Sequence, residues 1–320
     1  MENGTEVDDL AGLGKAAEKL IGEISKGIGT LYRPRAIRNE GKAEAAKILA
    51  IELAKAQAEE QTKDLAIAGH LNRVALLTNN DPGIVERAKA RLLLQEIQGQ
   101  LNVEAIAEKA IAHLPETVSD EQLSDEWRQR FFKYAADVST DEMREIWAKI
   151  LAGEVAQPKS CAARTLDVLH NLSQREAGAF GRLAAISFKA PFQGPVKISD
   201  EHSAFGSFGV SYDDLLILRD AGLLSYVDNV RMRFLPHASI LFVFHDTVLN
   251  LEPAPGPRDF LYYPLTQAGV DLLRVVKVEG NCAYLKQVLG EWLQAGNKPI
   301  VFAGPDEIKA CVHSADQSKR

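Results

Sequence analysis

Glu142, Glu145 and Glu154 fall within one predicted helix, and neighbouring carboxylates can share general acid and base work. That chemistry needs a nearby histidine or metal-ligand pattern. Neither accompanies them, so the three are read as surface charge. The seven His residues are isolated, with no H-x3-H or HExxH spacing, and no metal site is expected. Ser207 sits in Gly206-Ser207-Phe208-Gly209, which lacks the G-x-S-x-G spacing of a nucleophile elbow. Gly12-Leu13-Gly14-Lys15 lacks both the earlier glycine and the preceding strand of a phosphate loop. Cys161, Cys282 and Cys311 form no CxxC pair and read as reduced structural thiols. The expectation is a protein without catalytic residues, cofactor or metal.

The chemistry that remains is cationic. Arg33, Arg35 and Arg38, continued by Lys42, surround a break at Pro34, and such a cluster can enter a solvated helix or meet an anionic partner. Arg164 lies near the start of a predicted helix, where the dipole disfavours a cation, so it is expected to pair with Glu154 or to bind an anion. Arg231 and Arg233 lie in a predicted strand. These six arginines are the candidate anion or partner contacts.

The elements that position them divide into two textures. Leu10, Leu13, Ala17, Leu20, Ile24, Ile28 and Leu31 share one helical face over residues 8–32, opposite Lys15, Glu18, Lys19, Glu23 and Lys26. Five glycines there imply close packing of another backbone; docking onto protein is the first reading, and a membrane-surface helix the second. Ala43 to Lys63 is helix-forming and charge-laced, and Asn79-Asn80-Asp81-Pro82-Gly83 marks a turn before a long helix over 84–113. Helices follow at about 124–137, 139–155 and 161–185, with Ser139/Glu142 and Ser173/Glu176 as capping boxes. Trp127, Phe131, Phe132, Trp147, Ile150 and Leu151 recur at helical spacing and are read as core.

After Phe188 the texture changes to Pro/Gly-rich turns and short strands: Arg231 to Phe234, Ile240 to Phe244, and Pro299 to Phe302. Tyr212 to Leu218 reads as a helix with Gly222 at its left-handed cap, Thr266 caps another, and a last helix covers about 282–295. The expected fold is mainly α with a smaller α+β C-terminal module, a helical domain followed by a winged-helix-like one. The expected parts are residues 1–65, 66–187, 188–305 and a polar tail 306–320.

Charge is uneven. Residues 1–157 hold 20 Lys/Arg against 27 Asp/Glu and residues 158–320 hold 17 against 17, which places the whole net charge of -7 in the first half. Neither half is basic, so extended phosphate-backbone binding is not advertised. No apolar run reaches the roughly 20 residues that span a bilayer, and the expected location is cytoplasmic, peripheral to the inner membrane if residues 8–32 touch lipid.

The stretch from Trp127 to Leu183 carries family information. Its Trp127-x3-Phe131-Phe132, Glu142-Met143-x3-Trp147-Ala148-x-Ile150-Leu151-Ala152-Gly153-Glu154 and Arg164-Thr165-Leu166 runs, with Asn102-Val103-Glu104 upstream and Pro264-Leu265-Thr266 downstream, resemble the bacterial domain of unknown function 2806 family. The resemblance covers most of the chain and implies no activity. It departs where family members have Pro-Gly and a Ser/Phe/Ser run: here Lys159 follows Pro158, and Ala162 and Ala163 precede Arg164. A shorter similarity to abortive-infection-type helical domains implies a setting in phage defence by analogy only. The reading that results is a non-enzymatic binding or scaffolding component with a protein partner or self-association. The alternatives are a DNA-binding regulator using the C-terminal module, and an enzyme of unrecognised type.

Overall fold

The computed structural model describes residues 14–29, 82–198, 205–227, 229–306 and 308–310. Arg33, Arg35, Arg38 and the Ala43–Lys63 stretch lie outside the described residues. The chain divides into two compact units, Met1–Lys159 and Ser160–Arg320.

The described part of the first unit is helical: α1 (Gly14–Ile28), α2 (Pro82–Ile111), α3 (Asp125–Ala135) and α4 (Asp141–Ala156). Leu20 and Ile24 of α1, Ile106 and Ala110 of α2, Phe131 of α3, and Trp147 and Leu151 of α4 are all essentially inaccessible. The Trp127 and Phe131 rings stack at 5.0 Å, and Phe131 meets Trp147 edge-on at 5.2 Å. The aromatic spacing noted in the sequence is therefore core. Ala17, Leu20, Ile21 and Ile24 of α1 are buried in this core. The register of α1 is set by polar bonds. Lys19 Nζ donates to the Ser119 and Val155 carbonyls at 2.6 and 2.8 Å, and Gly27 lies flat against the Phe132 ring, where a Cβ would overlap it at 2.0 Å.

Helix α2 behaves as two halves. Its C-terminal half packs on α3 and α4 through Val103, Ile106, Ala107 and Ala110. Over residues 86–98 every side chain is exposed.

The second unit contains α5 (Ala163–His170), α6 (Gln174–Ala185), α7 (Tyr212–Asp220), strands β1 (Val230–Phe234), β2 (Ile240–Phe244), β3 (Thr247–Leu251) and β4 (Arg258–Tyr262), then α8 (Gln267–Val275), α9 (Cys282–Gln294) and β5 (Pro299–Ala303). β1 and β4 form an antiparallel ribbon, and β2-β3-β5 form a second antiparallel sheet with β5 at one edge. The molecule is thus mainly α with a small sheet-containing C-terminal region. The inner faces of the strands enclose an aromatic core: Phe242 lies 4.7 Å from Trp292, and Phe188 lies 5.0 Å from Phe244 and 6.0 Å from Trp292. Tyr284 is fully buried, and its hydroxyl both accepts from Val196 N–H and donates to Val196 C=O at 2.8 Å.

Three readings change. Helix α4 is capped by Thr140, whose hydroxyl accepts from Met143 N–H at 3.3 Å; Ser139 lies one residue too early. The helical stretch given the bounds 161–185 divides at Asn171–Ser173, where Ser173 was expected to start another helix. There Asn171 Nδ2 turns back to the Asp167 carbonyl (2.7 Å), and Ser173 opens α6 with the expected capping box. Strands β3 and β4 were not foreseen, because Pro253, Pro255 and Pro257 made their surroundings read as loop. The two compact units meet at Lys159/Ser160. Asp271 of α8 accepts from Ala162 N–H (3.0 Å) and Thr165 Oγ1 (2.6 Å), and Arg182 of α6 is bonded to Asp214 of α7. Those bonds tie α5 and α6 to the C-terminal elements.

Candidate functional site

Each carboxylate that could have done acid–base work has a structural partner or faces solvent. Glu154 is buried, and its Oε1 accepts from Lys159 N–H at 2.7 Å. Glu145 lies 2.7 Å from His113 Nε2 and 3.9 Å from Lys109 Nζ. Glu142 is exposed. His113 belongs to this strip between α2 and α4. His245 is tied differently: its Nε2 lies 3.0 Å from the Ala184 carbonyl, which can only accept, so this nitrogen carries the proton. Burial holds the His245 pKa below its ordinary value, against the opposing pull of that carbonyl. Among the described residues no His/Cys/Asp/Glu group is arranged to hold a metal ion, and neither Cys161 nor Cys282 is in a disulfide.

Arg164 is exposed and lines a cleft of about 240 Å³ with Asp167, Asn171, Glu176 and Asp220. Three carboxylates against one guanidinium make this a poor anion site, because an incoming anion meets net negative charge. The altered turn itself is informative. Lys159 stands at φ 69°, in the left-handed region that costs an L-residue roughly 1 kcal/mol and a glycine almost nothing. Its ammonium bonds Glu121, which raises the Lys159 pKa.

Arg231 and Arg233 stand side by side on β1, facing Asp259 of β4. Arg233 makes two 2.8 Å bonds to the two Asp259 oxygens, and Arg231 approaches one of them at 3.7 Å. The Arg233 bonds hold the Asp259 carboxyl below its usual range, outweighing partial desolvation. One charge of the pair is therefore locally neutralised. Helix α7 carries Asp213, Asp214 and Asp220. Burial alone would raise the Asp214 pKa, but Arg182 and the Ser211 cap outweigh it, and Asp214 stays below the ordinary range.

A second cleft, of about 310 Å³, opens beside β4, with Phe260 and Trp292 at its base and Lys197, Glu291 and Asn297 around it. Burial raises the Glu291 carboxyl.

The surface that sequence reasoning missed is apolar. On the β2-β3-β5 sheet, Ile240, Phe242, Phe244, Leu249 and Leu251 point inward and are buried. On the opposite face the register aligns Leu241, Asn250 and Ile300 in one row and Val243, Val248 and Ala303 in the next. Leu241, Ile300 and the adjacent Phe302 are 54%, 41% and 62% exposed. Phe302 falls at the irregularity in the β3–β5 pairing, which displaces it outward. The alternation within Ile240–Phe244 hides this face in the sequence, because both of its faces are apolar.

The described residues form two compact units, one helical and one carrying a small two-part sheet. Residues 86–289 match the family model described as a protein of unknown function, DUF2806, and the chain belongs to that family. No curated protein and no solved structure matches it significantly.

Proposed function

We propose that the protein is a non-catalytic binding component whose second unit receives an extended apolar segment of a protein partner along β5. The observation that carries this reading is the outer sheet face: Leu241, Ile300 and Phe302 are exposed together beside an edge strand. Edge strands leave one row of backbone donors and acceptors unpaired, and a contiguous apolar face marks a contact surface. Strand addition uses both features, with backbone bonds for affinity and alternate side chains for specificity. The order α7, β1/β4 ribbon, α8 supports a winged-helix-like reading of the module, used for protein contact. As a DNA reader it is disfavoured by the acids of α7 and by Asp259 engaging Arg231 and Arg233. Phage defence is the setting suggested by similarity to abortive-infection-type domains, and the cytoplasm is the corresponding location; no described helix is long and apolar enough to cross a membrane.

The test is tagged full-length protein used as bait in its host, with and without phage, beside Ile300→Asp/Phe302→Asp and Arg231→Ala/Arg233→Ala variants. The expected outcome is a stoichiometric protein lost at least tenfold with the first variant and kept with the second. Loss with the arginine variant alone, together with salt-sensitive binding of duplex DNA, would replace this reading with the regulator. Equal recovery by all three baits would remove the β5 surface.

A further inference from the structure

The cleft that repels anions has the opposite preference for cations, and an apolar row leads into it. Tyr212, Leu216 and Asp220 follow one another at four-residue steps on α7, so they stand about 6 Å apart along one side of the helix. Tyr212 and Leu216 are 56% and 40% exposed. The Tyr226 ring, 71% exposed, is held at the end of this row by its hydroxyl, which donates to Asp220 at 2.8 Å. Asp220 is also a wall of the cleft, where Asp167, Glu176 and Asp220 against the Arg164 guanidinium leave two negative charges in excess. Glu176 and Asp220 accept from neutral donors, the Ser173 amide and the Tyr226 hydroxyl, and neither bond cancels a charge. Two helices end here as well: Asn171 caps α5, Ala221 caps α7, and both line the cleft. Each helix C-terminus carries about half a negative charge and favours a cation. The opposing N-terminus of α6 is closed by its own Ser173–Glu176 capping box.

We propose that this face of α7 and the cleft at its end dock an extended, basic segment of a partner protein. Its apolar residues would lie on Tyr212 and Leu216, and a Lys or Arg side chain would enter the cleft. Alternate side chains of an extended chain stand about 6.6–7 Å apart on one side, close to the spacing of the row, so the pattern that fits is apolar-x-apolar-x-Lys/Arg. Val168 and Leu172 on the cleft wall suit the methylene stem of such a side chain, and the carboxylates suit its head. An anionic partner meets the excess negative charge, and a simple amine would fill the cleft while leaving the apolar row bare. The surface is built from α5, α6 and α7, none of which belongs to the β2-β3-β5 sheet, so it does not depend on the reading of the β5 edge.

The test titrates full-length protein into fluorescein-labelled heptapeptides that carry two apolar residues at alternate positions and then Arg, Lys, Glu or Ser, with polarisation as the readout. The Arg and Lys peptides are expected to bind with a Kd below about 1 mM. The matched Glu and Ser peptides should bind at least about fivefold more weakly, and the Arg and Lys affinities should fall as salt rises. Glu176→Gln/Asp220→Asn removes two charges while glutamine keeps the capping box and asparagine still accepts from Tyr226. That variant should weaken the Arg peptide about tenfold, and Leu216→Ser about threefold, because one loses charge and the other apolar contact. Ile300→Asp/Phe302→Asp should leave the affinity unchanged. Absence of binding by every peptide, equal binding of the Arg, Glu and Ser series, or full affinity in both α7 variants would overturn the proposal. Loss confined to Ile300→Asp/Phe302→Asp would move the peptide to the β5 edge, and spermidine binding as tightly as the Arg peptide would leave the apolar row without a role; either result also overturns it.

Discussion

The two units build their cores by different routes. In the first, the aromatic cluster is contributed by neighbours in sequence: Trp127, Phe131 and Phe132 sit on one helix and Trp147 on the next. In the second, Phe188, Phe242, Phe244, Phe260, Tyr284 and Trp292 converge from a loop, one strand of each sheet, and a helix. The first core depends on helical periodicity and is locked by polar tethers such as Glu23–Arg128. The second depends on pairings between segments far apart in the chain. The difference teaches where each unit is vulnerable: loss of a tether in the first, loss of ring volume in the second.

The comparison can be broken most sharply at Phe188, whose ring touches five other aromatic residues. Phe188→Ala should destabilise the protein by about 3–5 kcal/mol, since a buried ring is lost and a cavity remains. Urea unfolding followed by tryptophan fluorescence measures this, and a cost near zero would show that ring volume is not what holds the second unit.

A somewhat smaller effect is expected at the tether. Arg128 Nε donates to Glu23 at 2.9 Å, with both side chains buried, and a second nitrogen donates to the Leu123 carbonyl. Arg128→Met alone should cost about 2–3 kcal/mol, because the buried Glu23 carboxylate loses its buried partner and keeps only the half-exposed Lys26 ammonium at 3.0 Å. Glu23→Leu combined with Arg128→Met should recover much of the loss. A double variant as unstable as the single one would mean that packing, and not charge, sets the cost.

The smallest effect is at Lys159, where the first unit ends. Glycine removes the left-handed strain but loosens the unfolded chain and loses an exposed ion pair, so Lys159→Gly should change stability by less than about 1 kcal/mol. Lys159→Val, β-branched at φ 69°, should lower the melting temperature clearly. If valine is tolerated as well as glycine, the turn carries no strain and the resemblance to the family's Pro-Gly turn has no conformational basis.

How much was legible follows the same line. The helices around Trp127 and Trp147, the Ser173 and Thr266 caps and the Gly222 terminus could be read because each is decided within a few residues. β3 and β4 could not, since strand identity there comes from pairing with β2, β5 and β1. Of the six arginines, Arg33, Arg35 and Arg38 lie outside the described residues. Arg231 and Arg233 are half-neutralised by Asp259, a partner 26 residues from Arg233 that only the ribbon brings near. Arg164 faces carboxylates drawn from α5, α6 and α7.

By itself, the sequence determined the helical elements, the family and the absence of familiar catalytic spacing, because periodicity, caps and motifs are local properties. Tertiary structure alone decided that the compact division falls at Lys159, that Asp271 holds α5 to α8, and that Leu241, Ile300 and Phe302 share one exposed face. Those outcomes depend on which distant residues meet, and a β-register shared by three strands is set by the whole unit.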